Sequence, residues 1–396
     1  MNKNHRLSPI LALSAAFLMA AGTSTSAASR RTAAPVHHYT RQISIVADWI
    51  KGLQYKDPRL PSYGAIKIHH TAALTAPDGL RYYRVVPYFS SVAVIGLLKT
   101  RTPGALPVAE RWIDWYLAHR NVDGTVYDRW YLADGTGETT APAGLAKDFQ
   151  DHEDASDSNA AAILMIGQDY LEAGGKRAFL LANGRKAKLE ALAKVVTGLQ
   201  QSNGLTWARN VYRVEYTMDN CEAYAGLHAL ALLESGVYHD DRAARRYELA
   251  AERIKQGLKT TLLDQSTRLY KVAAFENGST QASKLTTWYP DTIAQVWPGL
   301  MGVVPPHSAQ AKQSMAALNK AWPQWSHSFV DPGGFPGSMI ACAAIDTGDL
   351  VDARAHTDLV CARKMPSTTD PVGFAPPFVV SDAGWLLIAL YELDRH

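Results

Sequence analysis

A small set of carboxylates stands out by position. Asp157, Asp219, Glu222 and Asp291 fall at or near the first residues of apolar segments, and Glu153 and Asp154 come just before Asp157. Two carboxyl groups that converge on one cavity can divide acid–base work. One gives a proton to a leaving oxygen, and the other activates water or attacks directly, which is the chemistry of glycosidic-bond cleavage. Asp157 and Asp219 are the pair expected to carry it, with Glu222 the alternative acid. Aromatic residues gather near the same points, among them Trp130, Trp207, Tyr212, Trp288 and Tyr289, and also Tyr88 and Tyr216. A flat apolar ring with a polar edge suits the C–H face of a sugar. Trp288 and Tyr289, directly before Asp291, are the strongest candidates for substrate binding. Trp207, Tyr212, Trp130, Asp154 and Asp291 complete the expected set. Any one of these rings would serve equally well to close a loop over a core.

The same acids have a plainer reading as helix caps. Asp219-Asn220-Cys221-Glu222 fits a capping box. Asp154, Asp157 and Asp291 fit N-terminal caps, where aspartate complements the helix dipole. Such a position lowers a carboxyl pKa, so the proton donor is expected in the most apolar surroundings. The acidic run from Asp148 to Asp154 lacks the spacing of a calcium loop, so neither a metal nor another cofactor is expected. His69 and His70 are adjacent and diverge in an extended segment, and His152 reads as an ordinary loop histidine. Arg84, Arg129 and Arg209 would suit the carboxylate of a uronate. Cys221, Cys342 and Cys361 have neither disulfide-framework nor zinc spacing.

The elements that must position these residues are helices of two kinds. Amphipathic, charged segments are expected at 39–53, 107–119, 185–201, 241–263, 308–322 and 349–363. Segments rich in small and apolar residues on nearly every side are expected at 87–99, 157–173, 219–235, 291–303, 335–344 and 381–393. The two kinds alternate strictly. Each buried segment passes to the next exposed one through a short link, such as 236–240. Each exposed segment passes to a buried one through a long link, such as 54–86 or 120–156. All long loops therefore lie on one face, where the buried helices begin, and that face is the expected site. No sustained apolar–polar alternation calls for a large sheet.

This alternation, with Asp154-Ala-Ser-Asp-Ser-Asn-Ala-Ala, Tyr216-Thr-Met-Asp-Asn-Cys-Glu-Ala-Tyr-Ala-Gly and Trp288-Tyr-Pro-Asp-Thr-Ile-Ala-Gln, resembles the six-hairpin glycosidase superfamily. The resemblance covers nearly all of the chain after residue 38 and implies an all-α (α/α)6 barrel, a toroid of six helical hairpins. It implies a glycosidase acting on an oligo- or polysaccharide, inverting as many members are, with Asp219 or Glu222 as acid and Asp157 as base. The superfamily also holds polysaccharide lyases and sugar epimerases, and a non-catalytic carbohydrate-binding protein could use the same groove.

Composition sets the outer limits. The chain has 396 residues, 47% hydrophobic and 19% charged, with a formal net charge of +3. That balance supports a large core and gives no electrostatic footprint for nucleic acid. Lys3, His5 and Arg6 precede an apolar run from Leu7 to Ala21 and then small residues, the pattern of a signal peptide over 1–28 cleaved near Ala27 or Ala28. A linker over 29–38 and a single domain over 39–396 follow. The run is short for a membrane span, so a secreted or periplasmic protein without a stable membrane anchor is expected.

Overall fold

The computed structural model describes residues 39–365, 374 and 377–396. The expected signal segment and linker lie outside them. Hairpins follow one another along the chain. α1 (Thr40–Gly52) leads to α2 (Pro87–Lys99), and α3 (Ala105–Ala118) to α4 (Ser156–Glu172). A short α5 (Arg177–Leu181) precedes α6 (Arg185–Leu199), which leads to α7 (Thr217–Gly236). α8 (Asp241–Gly257) leads to the one-turn α9 (Trp297–Leu300), α10 (Ala309–Ala321) to α11 (Ser338–Thr347), and α12 (Leu350–Lys364) to α13 (Val380–Asp394). Helices α2, α4, α7, α9, α11 and α13 touch in that order, and α13 returns to α2, closing an inner ring. The outer helices back it: α1 on α13, α3 on α2 and α4, α6 on α4 and α7, α8 on α7, α10 on α11, and α12 on α11 and α13. This is the (α/α)6 toroid.

Local chemistry explains the two layers. Outer helix α8 buries Ala243, Tyr247, Ala250, Ala251 and Ile254 at helical spacing and leaves its arginines to solvent. Asp240 caps it, accepting from the Ala243 N–H at 3.0 Å. Inner helix α4 buries residues on almost all sides, from Ser156 through Leu164 without a break. The inner helices approach so closely because glycine stands at the crossings. A Cβ on Gly226 of α7 would lie 2.6 Å from the Ala161 Cα of α4, and one on Gly96 of α2 would lie 2.5 Å from the Gly384 oxygen of α13. Pro87 opens α2, with Val86 held extended before it.

Two features depart from the sequence expectation. The fifth inner helix, expected over 291–303, is broken into a π-helical turn (Trp288–Thr292), a 3-10 turn (Ile293–Gln295) and the single turn of α9. Pro290 and Pro298 cause this. Neither can donate a backbone N–H, and a proline inside a helix clashes with the carbonyl four residues earlier. The second departure is two small antiparallel sheets. β1 (Leu74–Thr75), β2 (Arg81–Val85) and β3 (Arg129–Tyr131) form one, and β4 (Val214–Tyr216), β5 (Ala273–Phe275) and β6 (Thr280–Gln281) form the other. All six strands lie in the long links that precede inner helices. Each sheet ties two such links together, with Arg84 opposite Trp130 and Glu215 opposite Ala274. Cys221, Cys342 and Cys361 are free thiols. Among the described residues no helix is long and apolar enough to cross a membrane.

Candidate active site

The first turns of α4 and α7 bring Asp157, Asp219 and Glu222 together. Asp157 is the second residue of α4 and has no solvent exposure. Its Oδ1 accepts from the Ser158 N–H at 2.9 Å and its Oδ2 from the Thr206 hydroxyl at 2.6 Å. Burial pushes its pKa up to about 7, against those two hydrogen bonds and with the Glu222 charge adding to the rise. Glu222 is also buried. Its Oε1 accepts from the Tyr88 hydroxyl and, at 2.9 Å, from the Trp297 indole N–H. Burial raises the Glu222 pKa while neutral donors, Tyr88, Ser158 and Trp297, pull it back. Asp219 is half-buried and near enough to both for their charges to act on it. No hydrogen bond or ion pair reaches its carboxyl from any other described residue. Burial, followed by the charges of Asp157, Glu222 and Asp154, holds its pKa well above the ordinary carboxylate range.

These contacts decide between capping and convergence. The residue before α7 is Tyr216, with no side-chain cap. Asp219 and Glu222 form no capping box, because the Glu222 oxygen is taken by Tyr88 and Trp297. Ala155, not Asp154 or Asp157, precedes α4, and Asp157 serves only the next amide along. The lowered pKa values expected from helix starts are reversed, because burial among like charges outweighs the dipole at this depth.

The other expected residues divide. Asp154 is exposed, close enough for its charge to act on Asp219, Glu222 and Tyr289. Tyr289 presents an exposed ring, 62% accessible, and its phenol feels Asp219 before Asp154 and Glu222. Tyr212 is exposed, with its hydroxyl 2.8 Å from that of Tyr216, whose own phenol feels Asp219. Trp207 is half-buried beneath the Arg213 guanidinium, 4.8 Å from its ring centre. Three residues belong to the walls. Trp288 is buried edge-on against Trp322 at 5.3 Å. Asp291 is buried and accepts the Lys284 N–H at 2.6 Å, closing its own loop. Trp130 is buried in the first sheet with the Arg84 guanidinium 5.5 Å from its ring centre. The sequence pointed to Tyr88 only as a loop aromatic. Thr206 and Trp297, two further donors, were not singled out, since nothing in their local sequence marks a partner 49 or 75 residues away.

The arginines have partners of their own. Arg84 donates to Asp128 through Nε at 2.9 Å, and Arg129 stands 3.8 Å from Glu138. Arg209 donates to the Glu153 carbonyl at 2.9 Å. His69 is buried, its Nε2 donating to the Phe374 carbonyl and its Nδ1 accepting from the Thr71 N–H and meeting the Thr71 hydroxyl.

No protein-family model matches the chain, and no curated protein sequence does. Solved structures do. An α-amylase from Clostridium perfringens superposes with a TM-score of 0.60 at 10% identity, covering 89% of this chain and 97% of that one. A GH76 α-mannanase from Bacteroides thetaiotaomicron gives 0.52 at 14%, covering 90% and 94%. A GH63 mannosylglycerate hydrolase from Thermus thermophilus, solved with glucose, gives 0.52 at 12%, covering 88% and 99%. The chain shares the helical-toroid fold of these glycosidases over nearly its whole described length.

Proposed function

We propose that the protein is a secreted glycoside hydrolase acting on an oligo- or polysaccharide. The observation that carries this reading is the set of three buried or half-buried carboxyls at one mouth, held by neutral donors and by no cation. Asp219 is the proton donor. Its carboxyl has no hydrogen bond from another residue to stabilise the anion, meets solvent, and is pushed toward its protonated form by burial and then by the charges around it. Glu222 is the partner carboxylate. Neutral donors, Tyr88, Ser158 and Trp297, favour its charged form. Asp157, the base expected from the sequence, suits that task less well, because both its oxygens are engaged. It acts by raising the Asp219 pKa. Tyr289, Tyr212 and Trp207 supply ring surface for the sugar.

A lyase or epimerase needs a cation beside the substrate carboxylate. Arg84 and Arg129 are engaged elsewhere, Arg209 lies beside Tyr212 and donates to the Glu153 carbonyl, and no lysine or arginine bonds to the three carboxyls among the described residues, which favours hydrolysis. Neighbours named as glycosidases support the same side. The test is a screen of glycans with the purified protein, following reducing ends and ultraviolet absorbance together. Reducing ends without absorbance are expected. An unsaturated product would overturn hydrolysis in favour of lyase chemistry. The course proposed is inversion, read from the anomer formed first; retention would recast Glu222 as a nucleophile.

A further inference from the structure

Behind the mouth, the ring encloses a second space. A cavity of about 520 Å³ runs from Tyr88 toward the C-terminal ends of the inner helices. Leu300, Met301 and Gly302 line it where α9 stops, so the break in the fifth inner helix leaves this room. Its walls carry the rings of Tyr88, Tyr224 and Trp385. Its rear rim carries Lys99 and four acids, Asp169, Glu172, Asp346 and Glu392.

The charges do not balance. Lys99 is committed to Asp169 at 3.0 Å. Glu172 accepts only from the Gln168 amide, and Glu392 has only the exposed Arg395 at 3.6 Å. The Asp346 carboxyl makes no hydrogen bond or ion pair among the described residues; burial, then Glu392, raise its pKa to about 6 against the pull of His307 and Lys99. The C-terminal ends of α2, α4, α11 and α13 meet the same rim and add the negative ends of their dipoles. The chamber also holds one of the protein's own alkylammonium groups. That group is Lys99 on Asp169, and one lining ring, Tyr224, already carries an ammonium from outside the lining, Lys255 Nζ at 5.6 Å from its centre.

We propose that the rear chamber is a binding site for an aliphatic diamine or polyamine. Its methylene chain packs on Tyr224, Trp385, Ile95 and Met165, and its ammonium groups meet Asp346, Glu392 and Glu172. The site is separate from the mouth and does not depend on hydrolysis at Asp219. It touches the mouth through one side chain, since Tyr88 forms its ceiling and also donates to Glu222.

The experiment is calorimetric titration of the full chain with spermidine, and with 1,8-octanediol as a neutral chain of similar length. Spermidine is expected to bind once per chain and the diol not at all. Asp346→Asn with Glu392→Gln should weaken spermidine about tenfold or more, while Asp219→Asn leaves it unchanged. Met301→Trp, which fills the chamber from the α9 side, should block binding even if the double variant folds poorly. Absence of binding to the parent protein overturns the proposal. So does binding that survives Met301→Trp, or that is lost in Asp219→Asn and kept in the double variant, which places the amine in the mouth.

Discussion

Buried acids in this toroid are treated in two ways. Asp128 and Asp169 are each given a cation: Arg84 for the first, and Lys99 at 3.0 Å for the second. Asp157, Asp219 and Glu222 are given none. Their partners are a hydroxyl, an indole, a phenol and a backbone amide, or nothing. A cation would neutralise a carboxylate once and for all. Neutral donors leave it able to change its protonation state, which general acid–base work requires. A raised pKa alone does not mark such a group. Asp382 is also buried and raised to about 7, yet it is spent on capping, accepting the Val379 N–H at 3.0 Å. The mouth differs because three such groups share one field.

The comparison is broken most directly at Asp219. Asp219→Asn should cut turnover roughly 10³-fold or more, measured on whichever glycan the screen identifies, without lowering the melting temperature. The stability sign follows from linkage. A carboxyl whose folded pKa exceeds its unfolded value favours folding when protonated, so that contribution is present at low pH and fades as pH rises through the folded pKa. For Asp157 the window runs from 3.8 to about 7. Asp157→Asn should therefore unfold at a higher temperature than the parent at pH 8 and lose that advantage at pH 4. Equal melting temperatures at both would show that its charge is not strained.

The cation-paired group should behave in the opposite way. Arg84→Ala strands Asp128 and should cost about 3 kcal/mol of stability, read by urea unfolding. Activity below the unfolding transition should change little. A large loss of turnover in the folded variant would place Arg84 in the site and erase the distinction. The smallest effect expected is at Tyr88. Tyr88→Phe removes a donor that favours ionised Glu222, so the corresponding limb of the pH–rate profile should move up by about one pH unit. An unmoved profile would mean that Ser158 and Trp297 set Glu222 without Tyr88.

Much of this was legible in the residues. The alternation of charged and small-apolar helices gave the toroid, and the unequal links gave the face on which Asp157, Asp219 and Glu222 meet. Asp157, Asp219 and Glu222 follow from their places at helix starts. What could not be read depends on distance. Thr206, Tyr88 and Trp297 reach the acids from 49, 134 and 75 residues away, and no local pattern encodes that. Strands of two to five residues are too short to show alternation. Pro298 was visible inside the fifth inner segment and Pro290 just before it, and their weight against a continuous helix outranks its apolar composition. Trp288 and Asp291 read as substrate contacts because they sit beside Tyr289. A turn rather than a helix there directs the two inward and Tyr289 outward.

The backbone contact between Gly96 and Gly384 has a consequence for assembly. It joins the first hairpin to the last, so the ring is sealed by partners far apart in sequence. The ordering cost of bringing such distant segments together falls due before the contact returns anything. Neighbouring hairpins can therefore form early, but the circle locks only when both ends have arrived. Tyr39 reinforces the same seam, its N–H lying 2.7 Å from the Asp394 carboxylate. Any change that loosens this seam should slow the final step of folding more than it disturbs the hairpins on the far side.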